Sequence, residues 1–156
     1  MAAVFRIEHR LGIQAPAEVV WRVISDLPGW AQWNPLYTRA EGQLRIGARL
    51  TLTEQLAGQE PRIITPTVVD WVPDAQILWR MSQGLLRRFR YLEIEKLSDE
   101  SSIFSSGEDW WGLPARFVDK DRRRGMRRAY EAMNQAVRDR AHAVWRAEGG
   151  APTSRS

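Results

Sequence analysis

The chain of 156 residues contains no cysteine. Disulfides, thiol catalysis and cysteine-ligated metals are therefore excluded. Its two histidines, His9 and His142, are too few and too far apart in sequence to suggest a metal centre, and no cofactor is expected. Lysine is nearly absent: Lys96 and Lys120 are the only two among 23 basic residues. This excess of arginine reads as the codon bias of a GC-rich bacterial genome. No apolar run is long enough to span a bilayer. The stretch Met1 to Arg6 has no apolar signal core, so a cytoplasmic protein is expected. Glycine-rich phosphate loops and zinc signatures are missing as well.

What is present suits one globular domain, read over residues 1–148 with a frayed tail at 149–156. Hydrophobic residues make up 44% and charged residues 27% of the chain, an ordinary balance for a packed core. The outlier is eight tryptophans, rings that fill large volumes and want a polar partner for the indole N–H. A net charge of +4 is compatible with an anionic partner but does not define a fold.

Phe5, Ile7, His9, Leu11 and Ile13 alternate with polar residues or glycine, which predicts a half-buried strand. Pro16 fits the first turn of a short helix whose apolar face is Val19, Val20, Val23 and Ile24. Pro28-Gly29 stops it, and an aromatic knot from Trp30 to Pro35 follows. Short strands are then expected around 50–54, 62–72, 76–82, 87–97 and 102–111. Pro66 cannot donate to a ladder, so a bulge or break is expected near Thr65-Pro66. Met126, Ala129, Tyr130, Met133, Ala136, Val137, Ala141 and Val144 recur at helical spacing within a helix expected over about 116–146. Gly125 inside it predicts a kink or a close approach to the sheet. One long helix over a curved sheet favours a hollow between them, and a hollow suggests a small-molecule ligand.

Several segments carry a resemblance in their order and spacing. They are Ile13-x-Ala15-Pro16-Ala17-Glu18-x-Val20-Trp21, Trp30-x-x-Trp33-Asn34-Pro35 and Ile46-Gly47. Pro66-x-Val68, Pro73-x-x-x-Ile77-x-Trp79, Glu108-x-Trp110-x-Gly112 and Tyr130 to Asn134 follow. Together they resemble the START-like, Bet v 1-type superfamily, in its polyketide cyclase/dehydrase branch. The resemblance implies an α+β helix-grip fold. In that fold a seven-stranded curved antiparallel sheet wraps a long C-terminal helix, with two short helices after strand 1. It also implies a cavity for a lipid, isoprenoid or polyketide-like molecule. Two inward positions where such relatives often carry histidine hold Arg90 and Ser106 here.

Strand pairing predicts the site. If a turn near Ser98 to Glu100 closes the last hairpin, Ile94 faces Phe104, Leu92 faces Ser106 and Arg90 faces Glu108. If Gln83 to Leu86 closes the previous one, Trp79 faces Arg90. The expected cluster is Arg90 paired with Glu108 and lying on the Trp79 indole, either as a ligand anchor or as a structural ion pair. The wider candidate lining is Leu11, Glu54, Val68, Ile77, Met81, Leu92, Ser106, Trp110, Phe117, Met126 and Tyr130. His9 and Glu108 are the candidates for proton transfer. Lys120, Arg124, Arg127 and Arg128 share a helix face that could meet an anionic membrane surface; without interleaved aromatics, nucleic acid is not expected. Three functional classes fit: a carrier of a small hydrophobic molecule, a polyketide cyclase or dehydratase, and a protein-interaction module.

Overall fold

A computed structural model describes residues 3–150 of the chain. Of the tail expected at 149–156, residues 151–156 lie outside the described residues, whereas Gly149 N and Gly150 N donate back to Arg146 O and Trp145 O at the end of the last helix. The order is β1 (Phe5–Ile13), α1 (Ala17–Ser25), a 3-10 turn (Pro28–Gln32), β2 (Tyr37–Glu41), β3 (Thr51–Glu54), β4 (Arg62–Ile64) and β5 (Thr67–Val72). It continues with β6 (Gln76–Gln83), β7 (Leu86–Ser98), β8 (Ser101–Trp111), a second 3-10 turn (Leu113–Phe117) and α2 (Lys120–Ala147). This is the α+β helix-grip architecture, with a long C-terminal helix packed on an antiparallel sheet.

Five strands run β1-β8-β7-β6-β5 and three run β2-β3-β4. The strand expected over 62–72 is interrupted at Thr65-Pro66, which divides it into β4 and β5 and brings the total to eight. Pro66 still accepts from Leu50 N at 2.8 Å, and Val68 N donates to Ala48 O at 2.8 Å. The segment 47–50 therefore knits the two groups of strands into one wrapped surface. The tight crossing at the end of β8 needs Gly112, whose φ of 97° suits glycine and where a Cβ would strike the Leu85 carbonyl.

α2 begins at Lys120, later than the spacing predicts, because Asp119 caps it: its Oδ1 accepts from Arg122 N at 2.7 Å. Met126, Tyr130, Met133, Asn134, Val137 and Ala141 form its buried stripe. Nothing lies within 4 Å of where a Gly125 Cβ would sit, so this glycine makes no close approach to the sheet. The core between sheet and helix is aromatic. Trp30 packs against Tyr37 and Trp79 at centroid distances of 5.7 and 6.4 Å.

Candidate functional site

Period two on β7 turns Arg88, Arg90, Leu92 and Ile94 into the core, and all four are buried. The expected register holds: Arg90 lies opposite Glu108 and Trp79, Leu92 opposite Ser106, Ile94 opposite Phe104. The pairing of charges does not. Arg88, not Arg90, donates to Glu108 Oε1 at 2.5 Å and approaches Glu54 Oε2 at 3.6 Å. Arg88 also takes the indole contact, lying 4.6 Å from the Trp110 ring. Glu54 is held from its other side by Arg62 at 3.0 Å. The result is a chain Arg62–Glu54–Arg88–Glu108 across β4, β3, β7 and β8, buried from Glu54 to Glu108 and open to solvent at Arg62. Burial pulls the Arg88 guanidinium down, but Glu108 foremost, with Tyr130 and Glu54, more than offsets it and leaves it above its ordinary value. Sequence reasoning missed Arg88; its shared parity with Arg90 was the available signal.

Arg90 sits deeper. Its Nε donates to Tyr37 Oη at 3.1 Å and its Nη1 to Gly107 O at 3.1 Å. Its Nη2 meets Met133 Sδ at 3.4 Å, and its Cζ lies 4.1 Å from the Tyr130 ring. The expected contact with the Trp79 indole is replaced by these two tyrosines, and Trp79 packs edge-on to Tyr37 instead. Among the described residues no carboxylate pairs with Arg90. Burial pushes the Tyr37 hydroxyl up to about 12 and raises Tyr130 well above its ordinary value. The Tyr130 hydroxyl and the Trp110 Nε1 are buried with no protein partner. A buried, unpaired donor costs about 1–3 kcal/mol. Tyr37 and Met133 were not anticipated as neighbours of Arg90.

A third group lies beside these. Ser106 Oγ donates to Asn134 Oδ1 at 2.5 Å, and Asn134 Nδ2 donates to His9 O at 2.9 Å and contacts His9 Nδ1 at 3.2 Å. His9 is thus half-buried and positioned by α2 through Asn134, which the sequence reading uses only as the end of the Tyr130 to Asn134 segment and not as a site residue. His142 is on the same helix, where its Nε2 accepts from Gln14 N at 3.1 Å. Burial, then Arg138 and Arg146, holds its pKa below the ordinary value.

Val68, Ile77, Met81, Trp110, Met126 and Glu54 are buried as expected, and Leu11 is half-buried against the core. Phe117 is not a lining residue: it is 80% exposed, because the second 3-10 turn swings it out before α2 starts. The expected hollow also differs from what is observed. Trp79, Arg90, Glu108, Trp110 and Tyr130 are each 1% exposed, so water-sized gaps do not open onto them. Rings and guanidinium groups fill the space that an apolar cavity was expected to occupy. No helix of the described residues is long and apolar enough to cross a membrane.

An antiparallel sheet closed by one long helix, with polar groups buried between them, defines a helix-grip protein. The chain belongs to the polyketide cyclase / dehydrase and lipid transport family, whose family model matches residues 4–142. The fold is similar to that of a START superfamily protein from Mycobacterium smegmatis, at 18% identity. That match covers 89% of this chain and 98% of that one, with a TM-score of 0.73. It is also similar to the Zhui aromatase/cyclase from a Streptomyces, at 22% identity over 94% of this chain and 99% of that one, with a TM-score of 0.75. A norcoclaurine synthase from Thalictrum flavum aligns at 15% identity over 88% and 96% of the two chains, with a TM-score of 0.59. At these identities the likeness is one of fold. Among curated proteins, no sequence matches this chain.

Proposed function

We propose that the interior between the sheet and α2 receives a small, mostly hydrophobic molecule that carries an anionic or strongly accepting oxygen. The observation that carries this reading is Arg90, fully buried and without a carboxylate partner. Retaining an ion there costs desolvation, and such groups concentrate at functional sites. The unpartnered Tyr130 hydroxyl and Trp110 indole N–H lie in the same packed interior. These donors are complementary to a carboxylate, an enolate or a pair of carbonyls, and the surrounding rings suit an apolar or aromatic body. Admission requires displacement of packed side chains, since the interior is closed. The first two turns of α2 are the weakest cover: of residues 120–128 only Met126 is buried.

The test is native mass spectrometry of protein purified from its own host, compared with Arg90→Met. The parent should carry a co-purifying molecule, and the variant should retain about tenfold less of it or worse, as expected for loss of a charge-assisted hydrogen bond. A correctly folded variant carrying as much as the parent would overturn the assignment.

A second reading concerns delivery. Leu85, Leu113 and Phe117 are 76%, 59% and 80% exposed, and Leu85 and Gly112 are in contact at the same end of the fold. Lys120, Arg124, Arg127 and Arg128 begin three residues further on, all exposed. Protruding apolar groups beside a basic face suit docking on an anionic lipid surface. In flotation with vesicles of phosphatidylglycerol and phosphatidylcholine, Phe117→Ser with Leu85→Ser should lower partitioning about tenfold or more. Equal flotation of parent and variant would refute this reading.

A further inference from the structure

The outward face of the sheet carries a separate feature. A cleft of about 570 Å³ is lined by Arg49, Arg80 and Arg87, by apolar groups including Ile63 and Phe89, and by Thr65, Thr67 and Ser82. No carboxylate lines it. The strand register explains why the arginines converge. Arg49 bridges to Thr67, Thr67 pairs with Arg80, and Arg80 pairs with Phe89. Arg87 pairs with Ser82, two positions along β6 from Arg80. Directly opposed residues share a face at about 4.5–5.5 Å, so Arg49 and Arg80 flank Thr67 with α-carbons about 10 Å apart. Long guanidinium side chains can close on one group between them.

The charge at this recess is uncompensated. Arg6, Arg10, Arg22, Arg39 and Arg62 each meet a carboxylate. Arg49, Arg80 and Arg87 meet none among the described residues, although like charges side by side repel. Tyr91 and Asp109, further along the same face, are taken up by Glu8 and Arg6 and leave the recess alone.

We infer that this cleft binds a phosphate-bearing ligand with an apolar arm, at a site distinct from the interior. The guanidinium fork matches phosphate oxygens two at a time, and threonine and serine hydroxyls supply further donors. Ile63, at 69% exposed, and Phe89 offer the surface on which an apolar arm can lie. The cleft volume falls in the range of small-molecule sites, about 300–1,000 Å³. An acidic helix displays its carboxylates on a convex surface, whereas these arginines stand around a recess; a compact, doubly charged group reaches all three.

Titration calorimetry with pyrophosphate and with hexyl phosphate tests the inference on the full chain. Hexyl phosphate should bind more tightly than pyrophosphate per charge, and binding should weaken as salt is raised. Arg80→Gln should weaken it about tenfold, and Arg80→Gln with Arg87→Gln about a hundredfold. Both positions are exposed, and unchanged circular dichroism would establish that the variants are folded. Competition between hexyl phosphate and vesicles containing phosphatidic acid would identify a lipid headgroup as the source. Binding of the free ester without competition would identify a soluble phosphate ester. Absence of heat with either phosphate probe, affinity untouched by both variants, or tighter binding of polyglutamate would overturn the inference.

Discussion

Replacing Glu108 with alanine is expected to destabilise the fold by about 3–5 kcal/mol, among the largest single-residue losses in this protein. The cause is the partner left behind. Arg88 is 3% exposed and donates to Glu108 at 2.5 Å, while its second carboxylate, Glu54, stands off at 3.6 Å and is shared with Arg62. Without Glu108 the guanidinium stays buried with one distant counter-charge. Removing both members tells the cost of the orphaned charge from the worth of the pair. Arg88→Met with Glu108→Leu should recover at least half of the loss, because apolar groups of similar volume often replace a buried ion pair at no cost. Equilibrium unfolding in urea measures both. A loss below about 1 kcal/mol for Glu108→Ala would mean that Arg88 is solvated or re-paired, as for an exposed ion pair.

Trp79→Ala is the second large effect, again about 3–5 kcal/mol. Trp79 is 1% exposed and wedged between Tyr37 and Trp30 at centroid distances of 5.7 and 6.4 Å. Removing the indole leaves a void that these rings and Arg90 cannot close without rearrangement. Added indole should restore part of the lost stability, since an apolar cavity in a rigid core accepts an apolar guest. The same variant bears on function, because it creates beside Arg90 the open space that the native packing withholds. A loss under about 1 kcal/mol, with no response to indole, would show that the core collapses onto the site.

The filled interior changes how a ligand reading of this fold must be framed. A carrier with a ready-made apolar pocket would show unpartnered carbon surface inside. Here the inside is a lattice of arginine, carboxylate, tyrosine and tryptophan, with a few donors left over. Those donors, not empty volume, support the proposed binding role and are the reason that the proposal specifies a molecule that accepts hydrogen bonds.

Alternation along β7 and β8 and the short turns between β6, β7 and β8 determined in advance which residues face one another, because pairing in an antiparallel hairpin follows from turn position and a period of two. The break at Pro66 was equally legible, since a missing N–H acts locally. Local chemistry also named Arg90 and Glu108 as inward and buried. What the chain alone left open depends on reach and volume. Opposed and diagonal neighbours are both accessible to a side chain as long as arginine, so only three-dimensional packing decided that Arg88 would take the carboxylates and Arg90 the tyrosines. Only the second 3-10 turn, inserted before α2, decided that Phe117 would point into solvent. Whether the space under α2 is hollow or full is a sum over all the rings that converge there, a quantity no local pattern carries.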